Sequence, residues 1–150
     1  MNDEINGTLP SSMLQKITAD VFQSVVGIEV ELAALEDPRV ALDLSAMVHF
    51  EDGDHGAVVM ELSSALAQKL SSIMLCLDDS ETDDALVRDA IGEIVNIIAG
   101  NFKAACGSSS RLSLPKVVAG TGVLEQCPPE HNNALLCEEE RFFVAGWLKQ

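Results

Sequence analysis

From Val87 to Phe102 the chain sorts its residues onto two sides with a helical period, and that sorting restricts the segment to one kind of structure. Its centre reads Asp89-Ala-Ile-Gly-Glu-Ile-Val-Asn-Ile-Ile-Ala-Gly100. At about 100° per residue, Asp89, Glu93, Asn96 and Gly100 fall within roughly 60° of one another. Val87, Ile91, Ile94, Val95, Ile98 and Phe102 gather on the opposite side. Such a segment is an amphipathic helix that buries one stripe and turns a carboxylate and a carboxamide, one turn apart, to solvent. Asn is a poor mid-helix residue and Gly is worse, by roughly 1 kcal/mol relative to Ala. Gly92 and Gly100 flank Asn96 on or near the exposed face, which clears bulk around the amide at the expense of helix stability. A surface cleared in this way suits the close approach of another molecule. The plain alternative is a solvated helix face with two incidental glycines.

Elsewhere the chain alternates between helical and strand periods. Ser11 or Ser12 can cap a first helix that runs to about Val26 and is closed by Gly27. Residues 28–32 and 40–50 alternate as strands, 51–54 form a hairpin turn, and 56–62 form a third strand. Ser63 or Ser64 caps a helix to about Cys76, and Thr82 or Asp83 caps the two-faced helix. Strands follow near 116–124, 134–139 and 141–149, with the proline-containing stretch 127–133 as a loop. The order is helix, three strands, two helices, three strands. It predicts one α/β (α+β) domain over residues 1–150, with the two-faced helix packed on a largely antiparallel sheet through Ile91, Ile94, Val95 and Ile98. The order also suggests an internal duplication. Setting Gly27 against Gly100 brings Asp20 opposite Glu93 and Gln23 opposite Asn96.

Composition excludes several classes of function. A chain of 150 residues suits one domain with a sizeable core. Hydrophobic residues make up 47% of it, yet no run approaches the roughly 18–20 apolar residues of a membrane helix. The acidic start, Met1 to Gly7, lacks the basic and apolar regions of a signal peptide, so a cytoplasmic location is expected. A net charge of −15 argues against nucleic acid and anionic membranes, which repel an acidic surface. The acidic runs 78–84 and 138–140 read as solvated charge. Cys76, Cys106, Cys127 and Cys137 form no Cys-x-x-Cys pair, and Cys76 and Cys106 read as small core residues. His49, His55 and His131 are scattered, so no metal site is expected. No Gly-x-Ser-x-Gly or P-loop is present, and Gly107-Ser-Ser-Ser110 reads as a flexible linker.

A lone Glu and Asn define a narrow chemistry. Neither is a nucleophile here, and Asn has no acid or base function at neutral pH. Its amide both donates and accepts hydrogen bonds and so can orient a water. That suffices only where a partner supplies the reactive group, the metal and the charge.

The run Asp89-x-x-x-Glu93-x-x-Asn96-x-x-x-Gly100-Asn101 resembles the signature helix of the CheC/CheX/FliY family of chemotaxis phosphatases. Residues 22–30 look like the first helix and strand of CheX, 56–75 like its third strand and second helix, and 114–120 like the segment after its signature helix. A single motif copy in the second half of the chain points to CheX rather than CheC, which usually carries two. The Asp20/Gln23 face then reads as a decayed second site. The resemblance implies a CheC-like fold of duplicated helix-plus-three-strand units with two long helices on the sheet. It implies hydrolysis of the aspartyl phosphate of a CheY-like response regulator. Asn96 would align the attacking water and Glu93 would pair with the regulator's Lys. Asp89 would support docking or helix packing, and Gly92 and Gly100 would admit the regulator's loops. Mg²⁺ is expected on the regulator, with no cofactor bound by this chain. CheX proteins join their sheets into dimers, and the apolar strand 141–149 would be a liability as an open edge, so a homodimer is predicted. A second reading is a non-catalytic interaction module like the flagellar-switch relatives. A third is a structural or ligand-binding α/β domain with an incidental motif.

Overall fold

A computed structural model describes residues 2–33, 42–120 and 132–149, with side chains from Ser12 onward. Helix α1 (Asn2–Val25) is followed by strands β1 (Val30–Leu32), β2 (Leu44–Glu51) and β3 (His55–Leu62). Helix α2 (Ser64–Leu75), a 3-10 turn (Asp79–Glu81) and helix α3 (Asp84–Ala105) come next. Strands β4 (Arg111–Leu112), β5 (Lys116–Ala119), β6 (Asn132–Cys137) and β7 (Glu140–Lys149) complete the order.

Local chemistry sets most boundaries. Ser63 caps α2 by accepting from the Leu66 N–H at 3.0 Å, and Asp83 caps α3 by accepting from the Leu86 N–H at 2.9 Å. Helix α1 closes where expected: the Val26 N–H donates to the Phe22 carbonyl at 3.0 Å and Gly27 takes φ +71°. It does not begin where expected. The backbone is helical through Pro10 back to Asn2, although a proline inside a helix leaves one i→i−4 hydrogen bond unmade. The acidic runs are not simply solvated. Asp79 accepts from the Ser72 hydroxyl at 2.7 Å and Glu140 from the Ser63 hydroxyl at 2.8 Å, while Glu138 pairs with Lys69. These contacts fasten both ends of α2.

The sheet runs β1-β6-β7-β3-β2, with β4 and β5 both on the far side of β2, and every pair is antiparallel. Exchanging the set β1, β2, β3 with β5, β6, β7 leaves the order β1-β6-β7-β3-β2-β5 unchanged when read from the other edge. The topology therefore has a pseudo-two-fold between β3 and β7, as the duplication requires. β7 is consequently central, paired with β3 from His55↔Lys149 to Glu61↔Phe143 and with β6 on its other side. The expectation of an uncovered edge at 141–149 is wrong. That strand is apolar because it is flanked and covered within the chain, and the edges among the described strands are β1 and β4/β5.

Alternation divides each strand between two faces. Val58, Met60 and Leu62 of β3, with Phe142 and Val144 of β7, join the helices in the main core. Ile91, Ile94, Val95 and Ile98 are fully buried there, as the phase of α3 predicts. Phe22 stacks on Phe142 with ring centroids 5.0 Å apart, and Phe102 lies 6.2 Å from Phe50. Ala57, Val59, Ala134, Phe143 and Ala145 form a smaller cluster on the opposite face. Gln15 of α1 reaches Asn133 of β6 at 2.7 Å.

Candidate functional site

The polar face of α3 has the expected phase. Asp89 and Glu93 are exposed, and Asn96 and Gly100 are half-buried. Glu93 and Asn96 lie about 4.5 Å apart along the axis, at 1.5 Å rise per residue. Among the described residues, no side chain of this chain engages Asp89, Glu93 or Asn96. The carboxylate and the amide are thus free to meet another molecule.

Each flank of this face has a wall. On one side the segment leading into β5 packs against α3: a Cβ at Gly92 would lie 3.5 Å from the Pro115 ring and 3.6 Å from Val117. Arg88 also donates to the Val117 carbonyl at 3.2 Å. On the other side Ile97 and Asn101 border a groove of about 440 Å³ shared with Met13, Lys16, Ile17 and Asp20 of α1. Gly92 is therefore buried beneath the chain's own Pro115 and Val117. It does not open the surface to a partner, which corrects the expectation for this residue. Gly100 is different, since a Cβ there would meet nothing within 4 Å.

The helix that presents the face is held at both ends. Asp83 caps its start, and Lys103 in its last turn suits the negative end of the helix dipole. After Gly107, the segment expected to be a flexible linker is pinned to the β2–β3 hairpin. Ser108 donates to the Asp54 carboxylate, and the Asp54 N–H donates to the Ser110 hydroxyl at 2.9 Å. Ser110 is buried. Strand β4, two residues paired with Phe50 and Glu51, follows directly and is too short to show an alternation. The cysteine reading also needs correction. Cys76 is exposed, because it sits beyond the last turn of α2 in a left-handed conformation, and Cys106 is half-buried. The buried thiol is Cys137, its pKa pushed up to about 11, chiefly by burial. That keeps it protonated and unreactive at neutral pH. Cys127, His131 and most of the proline-containing loop lie outside the described residues.

The two helices can be superposed by their shared ending. Cys106 N–H donates to the Phe102 carbonyl at 3.0 Å and Gly107 takes φ +70°, the same lock as at Phe22, Val26 and Gly27. Gly100 lies inside α3 and ends nothing. The equivalence is therefore Gly27 with Gly107, an offset of 80, and not Gly27 with Gly100. It sets Met13 and Lys16 where Glu93 and Asn96 stand. The Asp20/Gln23 pair is two turns away from that position, so it is not the counterpart of the α3 pair. Lys16 instead pairs with Asp20 at 2.9 Å on the exposed surface.

Among the described residues no cluster of three or more His, Cys, Asp or Glu could hold a metal ion, and no helix is long and apolar enough to cross a membrane. The family model for the chemotaxis phosphatase CheX matches residues 44–137, which include all of α3. Solved structures share the fold. CheX from Desulfovibrio desulfuricans is 21% identical with a TM-score of 0.70, covering 93% of this chain and 99% of that one. CheX from Vibrio vulnificus is 17% identical with a TM-score of 0.68, covering 95% and 99%. A chain of the CheX–CheY–BeF3–Mg²⁺ complex from Borrelia burgdorferi is 15% identical with a TM-score of 0.69, covering 91% and 96%. No curated protein matches the chain in sequence.

Proposed function

The chain belongs to the CheX family of chemotaxis phosphatases, and from that premise we propose that it hydrolyses the aspartyl phosphate of a CheY-like response regulator. The observation that carries the reading is the exposed Glu93 and half-buried Asn96, unengaged among the described residues, on a helix fixed by its buried face. In this reading Asn96 enters the regulator's phosphorylation pocket and its amide holds a water in line with the phosphorus. The water oxygen bonds to phosphorus as the bond to the regulator's carboxylate oxygen breaks. The carboxylate leaves with the electron pair, and inorganic phosphate carries the water's protons. Charge on the transferring group is met by the regulator's own Mg²⁺ and Lys, so this chain binds no cofactor. Glu93 pairs with that Lys and sets the register. Asp89 supports docking, and Gly100 leaves room for the regulator's loops.

The Borrelia burgdorferi complex of CheX with CheY, BeF3 and Mg²⁺ supports a receiver domain as the partner. The reading takes residues 1–150 as one phosphatase domain acting in the cytoplasm. It includes a homodimer, for which the described sheet edges β1 and β4/β5 are the available strands. Light scattering at micromolar concentration tests the dimer.

Phosphoregulator hydrolysis tests the chemistry. Asn96→Ala should bind the beryllofluoride form of the regulator but lose roughly 10²-fold or more in turnover, the usual scale for a lost positioning or charge-stabilising group. Glu93→Ala should mainly weaken binding, and the loss should shrink as salt rises and screens the pair it removes. Lys16→Ala, at the position equivalent to Asn96 in α1, should change neither. Full turnover by Asn96→Ala would remove the catalytic role and leave a binding module.

A further inference from the structure

We propose that Leu114 is a specificity-determining docking residue, which enters an apolar recess on the rim of the receiver's phosphorylation pocket when the acyl phosphate meets Asn96. The inference rests on the reading of α3 as the receiver-docking face. Leu114 is 88% exposed, against 64% for Leu32 and 40% for Ile73, the next large apolar residues among those described. One exposed leucine is ordinary, and three features separate this one from that background.

The first is position. Pro115, beside Leu114, packs on Gly92. Gly92 lies about 40° around α3 from Asn96 and about 100° from Glu93. Leu114 therefore stands along the flank of the polar face on which the amide sits.

The second is anchoring. The Ser113 N–H donates to the His49 carbonyl at 2.8 Å, and the His49 N–H donates to the Ser113 hydroxyl at 2.9 Å. On the other side Pro115 has a fixed φ and restricts the residue before it to extended backbone. The chain on both sides of Leu114 is held in place. A side chain presented from a held backbone loses little chain entropy on docking.

The third is complementarity of means. Asp89, Glu93 and Asn96 supply charge and direction but little apolar area. Leu114 supplies apolar area on the Gly92 flank of that face and carries no charge that the regulator's pocket would have to desolvate.

The test uses a CheY-type receiver domain from the same genome, phosphorylated with phosphoramidate for turnover and loaded with beryllofluoride and Mg²⁺ for binding. Leu114→Asp and Leu114→Ala should raise KM and Kd by about ten-fold or more, the equivalent of one leucine left unburied. Turnover at saturating receiver should stay within about two-fold, because the water-positioning amide is untouched. Leu114→Met should restore most of the affinity, and thermal unfolding should be unchanged in all three. Unchanged KM and Kd in Leu114→Asp, with wild type active and Asn96→Ala inactive, would overturn the Leu114 role and leave the phosphatase reading intact. A loss confined to turnover would likewise overturn it. Absence of hydrolysis and of binding by wild type would overturn the phosphatase reading and the Leu114 role together.

Discussion

Helices α1 and α3 share a last turn: a buried phenylalanine, a hydrogen bond back to its carbonyl at 3.0 Å, and a glycine near φ +70°. Three turns earlier their outward positions differ. α3 carries Glu93 and Asn96, and α1 carries Met13, partly buried against the core, and Lys16, paired with Asp20. The duplicated scaffold accepts either set. What the fold needs from each helix is therefore an inward aromatic and a closing glycine. It has no need of a carboxylate or an amide at positions 93 and 96. That leaves both residues without a part in holding the fold, which is the physical basis for the proposal that they meet a receiver domain.

The comparison can be broken at several levels of energy. Phe22→Ala and Phe102→Ala should each destabilise by about 3–5 kcal/mol in urea unfolding, as full truncations of buried aromatics do. A much smaller loss for one of them would end the equivalence. Gly27→Ala and Gly107→Ala should each cost about 1–2 kcal/mol, since a Cβ at either has open space and only the left-handed backbone opposes it. Unequal thermal shifts would show that the two locks differ in kind. Gly92→Ala is the smallest effect. Its Cβ would make ordinary contacts at 3.5–3.6 Å, and helix propensity gains up to about 1 kcal/mol. The melting temperature should hold or rise slightly and turnover should be retained. A sharp loss of receiver binding with stability intact would return Gly92 to the partner interface.

The phase of α3, its cap at Asp83 and the cap of α2 at Ser63 were legible in sequence because each depends on residues within a turn or two. Gly92 was misread because the neighbour that covers it, Pro115, arrives 23 positions later from the strand side. The clasp of Asp54 with Ser108 and Ser110 spans more than fifty residues and leaves no periodic trace. The place of β7 was misread for a related reason. An apolar run reports burial, and burial comes equally from flanking strands or from a second protomer. The helix alignment failed because Gly100 and Gly107 both lie within a few turns after Asn96, and only the backbone shows which one ends the helix.

The central seat of β7 bears on how the protein is made. Its pairing with β3 joins residues as far as 94 positions apart, His55 with Lys149. As the chain leaves the ribosome, β3 has β2 on one side and no partner on the other until the last strand of the fold has emerged. Such a sheet closes late, through contacts of high sequence separation, and such closures are slow. The apolar rows of β3 and β6 stay open to chaperones until then. α3 is complete some thirty-five residues before β7 begins, and the elements it packs on most, α1, α2 and β2, are complete before then too. The helix that presents Glu93 and Asn96 can therefore seat before the sheet closes, and what β7 adds last is the strand between the two halves, not the floor beneath α3.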